Sequence, residues 1–244
     1  GTSFELGEDA EYAAGAIQVR QTDVAGNTST EGSNAAAITL DTVAPSAPSF
    51  ALFADTGSDG EDGITNDGTV SVTLAGDVDS WEYSLNGGTA WADGTGNSFE
   101  LTADTTFAAG DVRVRQTDVA GNLSAEGSNA GEWVEDSTNP DYVGVAVSDV
   151  AINADDDAGT TVTIAVTYTE AMDPNITPTI GFSPDVSTTL VSQGARVWSV
   201  GNTVYTESYT VTDVDADIDG VNITVSGGQD VAGNAIADTE FANV

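Results

Sequence analysis

The residues of this chain that could do chemistry are its acids. It holds 27 Asp and 13 Glu against four Arg (Arg20, Arg113, Arg115 and Arg196), a formal net charge of −36 in 244 residues. Lys, His and Cys are absent. That composition excludes disulfides, Cys- or His-based zinc sites, Ser-His-Asp and Cys-His catalysis, Schiff-base lysines and lysine crosslinks. Nucleic acid, itself a polyanion bound through Lys and Arg, is an unsuitable partner. The acids are clustered rather than evenly spread. Asp55, Asp59, Glu61, Asp62 and Asp67 share one loop, Asp155, Asp156 and Asp157 are consecutive, and Asp213, Asp215, Asp217 and Asp219 recur at every second position. Like charges held so close are costly unless a cation sits among them. Calcium accepts about six to eight oxygens with tolerant geometry, and with no His or Cys a hard cation is the metal this chain can hold. Paired carboxylates can also hydrolyse glycosides, but no motif marks such a pair here, and no catalytic residue is expected.

The elements that must position these acids follow from an internal repeat. Residues 1–34 align without a gap to residues 96–129, with 23 of 34 positions identical and an offset of 95. The offset carries Asp41 to Asp136 and Asp23-Val-Ala-Gly-Asn27 to Asp118-Val-Ala-Gly-Asn122, and the signature returns at Asp230-Val-Ala-Gly-Asn234. A period of that length is one immunoglobulin-sized sandwich. Residues 1–44 are read as the C-terminal part of one repeat, 45–139 as a complete repeat and 140–244 as a divergent third domain. Alternating segments such as Thr69-Val-Ser-Val-Thr-Leu74 and Ser80-Trp-Glu-Tyr-Ser-Leu85 mark half-buried strands, and helical periodicity is lacking. In the third domain strands are expected at 143–152, 160–168, 178–182, 188–199, 203–212 and 220–226. The 39% hydrophobic content argues for folded domains, and no apolar run is long enough to span a membrane.

In a sandwich of this kind the loops gather at two poles. The entering pole of the complete repeat should collect Asp77, Asp79, Asp118 and Asn122 beside the linker Asp41. Its exit pole should collect Asp55, Asp59, Asp62, Asp67 and Asp104 beside Asp136. In the third domain Glu170, Asp173, Asp230 and Asn234 should meet at the entering pole, and Asp155 and Asp157 should face Asp213, Asp215 and Asp217 at the exit. Each of these residues also has a plainer reading. Asp forms turns by bonding its own backbone, and alternating acids can guard an edge strand. Trp198 and Tyr205, flanking Gly201-Asn202, are either a cross-strand pair or an aromatic surface for sugar stacking.

Trp81-Glu-Tyr-Ser-Leu-Asn-Gly-Gly88, Trp91, Val114-Arg-Gln-Thr-Asp-Val-Ala-Gly-Asn122 and the linker Asp41-Thr-Val-Ala-Pro45 together resemble the bacterial Ig-like repeats of giant type I-secreted surface adhesins, the RTX or biofilm-associated type. The resemblance is strongest over 1–139. Over 140–244 Val166-Thr-Tyr-Thr-Glu-Ala-Met-Asp-Pro174 looks like another Ig-like repeat class from similar proteins. The resemblance implies tandem Ig-like β-sandwiches in an elongated rod, calcium at domain junctions, neighbouring Ig-like domains as partners, a place on the bacterial cell surface and a role as the extender that projects a binding tip. The alternative expectation is a glycan- or protein-binding module in the third domain.

Overall fold

The computed structural model describes residues 3–149, 159–212 and 220–242. The fold is all-β, and among the described residues there is no helix and therefore none able to cross a membrane. The chain divides into two compact units, one of residues 1–51, 70–99 and 109–130, the other of residues 52–69, 100–108 and 131–244.

The largest sheet of the first unit runs Gly127–Ser128, Arg113–Asp118, Val78–Ser84, Ala92–Asp93. Alternation makes these strands. In Arg113–Asp118 every second residue is buried, so Val114 and Gln116 point inward while Arg113 and Arg115 lie on the other face. Val70, Val72, Trp81, Phe99, Val112 and Val114 form the buried apolar set, and Tyr83 stacks on Phe99 with ring centroids 4.4 Å apart. The buried Gln116 is satisfied, accepting from Ala75 N–H at 3.0 Å and donating to the Ser46 carbonyl at 2.8 Å. Arg115 bonds Glu82 at 2.8 Å and lies 4.0 Å above the Trp91 ring, while Arg113 bonds Glu126 at 2.7 Å. A Cβ at Gly94 would come within 2.1 Å of the Trp81 ring. Gly94→Ala is therefore expected to cost about 1–3 kcal/mol by overpacking, read as a lower urea midpoint with an unchanged slope.

In the second unit residues 142–241 contain two sheets. One runs Tyr142–Val147, Thr161–Tyr168, Val204–Val211, Leu190–Trp198, and the other Thr179–Ser183, Asn222–Ser226, Thr239–Phe241. Ile164, Val166, Tyr168, Met172, Tyr205, Tyr209, Ile223 and Val225 pack between them as one core, which makes this a two-layer sandwich. Its two central strands, Thr161–Tyr168 and Val204–Val211, bury every second residue. Trp198 pairs directly with Tyr205 across a turn in which Gly201 and Asn202 both have positive φ. Tyr205 is buried and Trp198 packs against the core, so the two rings form a cross-strand pair and not an exposed stacking surface. The same unit holds a small sheet in which Trp133–Glu135 lies between Thr105–Phe107, antiparallel, and Ile64–Thr65, parallel.

Candidate metal centres

The three Asp-Val-Ala-Gly-Asn segments fold into one and the same turn. In each, the Asp carboxylate accepts the backbone N–H of the Asn four residues on and, through its other oxygen, the Asn side-chain amide. The distances are 2.8 and 2.9 Å for Asp23–Asn27, 2.8 and 2.9 Å for Asp118–Asn122, and 2.8 and 2.8 Å for Asp230–Asn234. The Asp N–H bonds back to the Asn carbonyl in all three. Gly26, Gly121 and Gly233 have φ between 91° and 97°, as this turn requires. The turn is self-sufficient, so the plain reading of these Asp residues as turn formers holds.

Two of the three turns do more. The Asn122 amide also donates to the Asp41 carbonyl at 3.1 Å, and the Asn234 amide to the Asp136 carbonyl at 2.7 Å. Each Asn thereby fastens a linker Asp beside the turn Asp. Around this contact one carboxylate oxygen each from Asp41, Asp77 and Asp118 lie within 4.8 Å of one another, and so do one each from Asp136, Glu170 and Asp230. Asp118 and Asp230 are each only 1% exposed. Asp77 sits in the turn before the strand Val78–Ser84, and Glu170 in the bend after Thr161–Tyr168. The two trios lie in different units, and each is built wholly within its own.

The remaining expected residues are placed as follows. Asp79 is exposed on the strand Val78–Ser84 and is not in the trio. Asp104 has φ of 51° and accepts Ser137 N–H at 3.0 Å. Its charge is felt at both Asp136 and Glu170. Asp173 is buried beside Met172, with one oxygen accepting Asn175 N–H at 2.9 Å and the other buried without a hydrogen-bond partner. Asp59, Asp62 and Asp67 each accept the N–H two residues on. Asp55 accepts Gly63 N–H at 3.0 Å through one oxygen, and its other oxygen is buried without a partner. Asp155, Asp157, Asp213, Asp215 and Asp217 lie outside the described residues.

One neighbour of the second trio carries no signal in the acid pattern. The Thr56 hydroxyl donates to the Ala232 carbonyl at 2.6 Å, the Asn175 amide donates to Ser58 Oγ at 3.1 Å, and a Cβ at Gly57 would lie 2.1 Å from the Val231 carbonyl. The start of the acidic loop is thus seated on the third Asp–Asn turn. Asp9, whose φ is 50° and which accepts Thr42 N–H at 2.7 Å, is the counterpart of Asp104. The 95-residue offset alone points to it.

The donor chemistry fits a hard cation. Every candidate ligand is an oxygen, and two oxygens bound to one ion at roughly 2.4 Å are at most about 4.8 Å apart, so oxygens that all lie within 4.8 Å of one another, as in each trio, are close enough to share an ion. The orphaned buried oxygens of Asp55 and Asp173 are further acceptors lacking a donor. Among the described residues all four arginines pair with Glu31, Glu126, Glu82 and Glu207, so none neutralises a trio.

Electrostatics separates the centres. Burial, together with the charges of Asp230 and Asp104, pushes Asp136 above the ordinary carboxylate range. Burial and the charges of Asp136, Asp230 and Asp104 do the same to Glu170. Asp55 is raised by burial, against the Gly63 N–H and with Asp62, Asp59 and Glu61 adding to the rise. In Asp118 burial also pushes upward, but the Asn122 side-chain and backbone hydrogen bonds outweigh it and leave the group below its ordinary value. Between the unfolded carboxylate pKa of about 4 and the raised values, the folded chain holds protons on Asp136, Glu170 and Asp55 that the unfolded chain has lost. Without a cation, stability is therefore expected to rise as pH falls through that window, and to drop below about pH 4, where the contribution of Asp118 is lost. A cation that binds the ionised trio favours the high-pH form, so its stabilisation shrinks as pH falls. Urea midpoints from pH 7 down to about pH 3, in chelator and in calcium, check these signs.

No protein-family model matches this chain, and no curated protein is significantly similar to it.

Proposed function

We propose that this chain is a calcium-rigidified extender segment of a large bacterial cell-surface adhesin, placed outside the cell, with a mechanical rather than a catalytic role. The observation that carries this reading is the pair of acidic trios. Asp41 and Asp136 occupy equivalent repeat positions, Asp118 and Asp230 occupy the same place in the same turn, and the same Asn amide fastens each linker to each turn. A carboxylate cluster built the same way twice points to a repeated structural task, whereas an active site is ordinarily single. A divalent ion at a trio ties a linker to two loops of the sandwich that follows it, and so restrains the hinge between successive repeats. With neither disulfides nor lysine crosslinks available, ion bridging is the stiffening chemistry this composition allows.

Calorimetric titration at fixed ionic strength tests this. Calcium is expected to bind at two or more sites and magnesium far more weakly, because magnesium demands a smaller and more regular shell. Scattering from the same samples should show a stiffer chain with calcium. Equal, weak responses to both ions would leave the acids a screened surface coat and remove the mechanism of the extender.

A further inference from the structure

Residues 3–42 repeat the local structure of residues 98–137 as well as their sequence. Gln18 pairs with Ser33 and Val19 with Gly32, as Arg113 pairs with Ser128 and Val114 with Gly127. Ala10–Tyr12 pairs with Ile38–Leu40 in the register of Thr105–Phe107 with Trp133–Glu135. What differs is the cover. In the later copy Arg113–Asp118 continues its sheet into Val78–Ser84, from Arg113 opposite Ser84 to Asp118 opposite Val78. Among the described residues the strand Gln18–Val19 belongs to a two-stranded sheet with Gly32–Ser33. Phe4 is accordingly 62% exposed where Phe99 is 6%, and Val19 is 54% exposed where Val114 is fully buried. Gln21 is exposed where its counterpart Gln116 is buried.

We propose that the face formed by residues 3–42 is a docking surface for the N-terminal half of another repeat, a segment of the type of residues 45–95. The later copy shows the fit. There Val70, Val72 and Trp81 are buried together with Phe99 and Val114, the Trp81 ring lies 6.3 Å from that of Phe99, and the equivalent strand edge is extended by Val78–Ser84. The incoming segment adds a strand to the edge of Gln18–Val19 through main-chain hydrogen bonds. It also covers Phe4 and Val19 with the apolar residues of its own inward face. The face is preformed, because its turns and strand registers already match those of the covered copy, so docking orders little that is not ordered already. This inference rests on repeat packing and stands apart from the calcium reading.

The test fuses a second copy of residues 45–95 directly ahead of Gly1, since residue 96, the counterpart of Gly1, follows residue 95 without a break. Hydrogen exchange is read by mass spectrometry on the full chain, with and without the fused segment, in calcium and in chelator. Amides of residues 4–40 are expected to slow by about a hundredfold or more. A fused segment carrying Val70→Asp and Trp81→Asp should leave them as fast as in the parent chain, which separates docking from the mere presence of extra polypeptide. Unchanged exchange in 4–40 with the intact segment overturns the proposal. So does a concentration-dependent dimer of the parent chain, seen by light scattering, in which 4–40 is already protected, because the occupant would then be a second copy of the whole chain.

Discussion

Calcium added to the chelated chain at fixed ionic strength is expected to raise its melting temperature by on the order of 10 °C. A ligand that binds the folded form alone adds about 2.7 kcal/mol per site at a hundredfold excess over its Kd. For a chain of this size each kcal/mol is worth about 2–4 °C, and two trios are in place to take an ion. Magnesium at the same ionic strength should give a small part of the effect. Asp136→Asn makes the origin testable. The substitution keeps an acceptor for the Thr138 N–H, which Asp136 Oδ1 now binds at 3.2 Å, and it removes one of three crowded charges. In chelator the variant should be as stable as the parent or slightly more so, since Asp136 is a desolvated carboxylate beside Asp230 and Asp104. In calcium it should lose roughly half of the rise, about the share of one site. Asp41→Asn should do the same at the first trio, and the two losses should add, because the trios lie in separate units. A variant weakened equally in chelator and in calcium would mean that Asp136 is a structural acceptor and not an ion ligand.

Removing the buried Asp of the third turn should cost about 2–4 kcal/mol even in chelator. Asp230 accepts hydrogen bonds from Gly233 N–H, Asn234 N–H and the Asn234 side-chain amide, each at 2.8 Å. Asp230→Ala strands all three donors in a site where Asp230 is 1% exposed. Hydrogen bonds to a charged group are worth about 1.5–3 kcal/mol each. Relief of repulsion with Asp136 and Glu170 offsets part of the loss. The cost also spreads beyond the turn. Asn234 holds the Asp136 carbonyl, and the Val231–Ala232 backbone seats Gly57 and Thr56. Asp23→Ala provides the comparison. The Asp23 carboxylate accepts the corresponding Asn27 N–H and side-chain amide but lies in solvent, and there water replaces the lost acceptor, so a much smaller change is expected. Urea midpoints of the two variants in chelator decide the point. Equal losses would mean that the turn stabilises by its local geometry alone, with burial playing no part.

The strands of the C-terminal sandwich were legible in the sequence because period-two alternation is a local property. Thr161–Tyr168, Leu190–Trp198 and Val204–Val211 fall within a residue or two of the spans expected from it. The acid trios were legible in a different way. The 95-residue offset equates Asp41 with Asp136, the recurring Asp–Asn signature marks Asp118 and Asp230, and the loop order of a sandwich places Asp77 beside Asp41 and Asp118 and Glu170 beside Asp230. Asp136 is expected at the exit pole with Asp55, Asp59, Asp62, Asp67 and Asp104, and it is the fold that brings it to Glu170 and Asp230. The choice between near neighbours was not legible. Asp79 is exposed on its strand while Asp77, two residues earlier, enters the trio from the preceding turn. Asp173 is buried outside the second trio while Glu170 lies within it. Such choices depend on where a bend ends and a strand begins, to within one residue. Trp198 and Tyr205 were equally undecided, because a cross-strand pair and an exposed aromatic platform share one spacing.

The all-β class, the repeat, the oxygen-only chemistry and the exclusion of every mechanism that needs His, Cys or Lys are readable from the residues alone. Those follow from composition and from periods of two and ninety-five, which need no knowledge of the fold. Tertiary packing sets which acids become neighbours, in which of the three alike turns the Asp is buried, and how Thr56 and Gly57 meet a turn more than 170 residues further on. Burial and proximity depend on chain segments far apart in sequence. A turn therefore carries the same hydrogen bonds at Asp23, Asp118 and Asp230, and its electrostatic character comes from what packs around it.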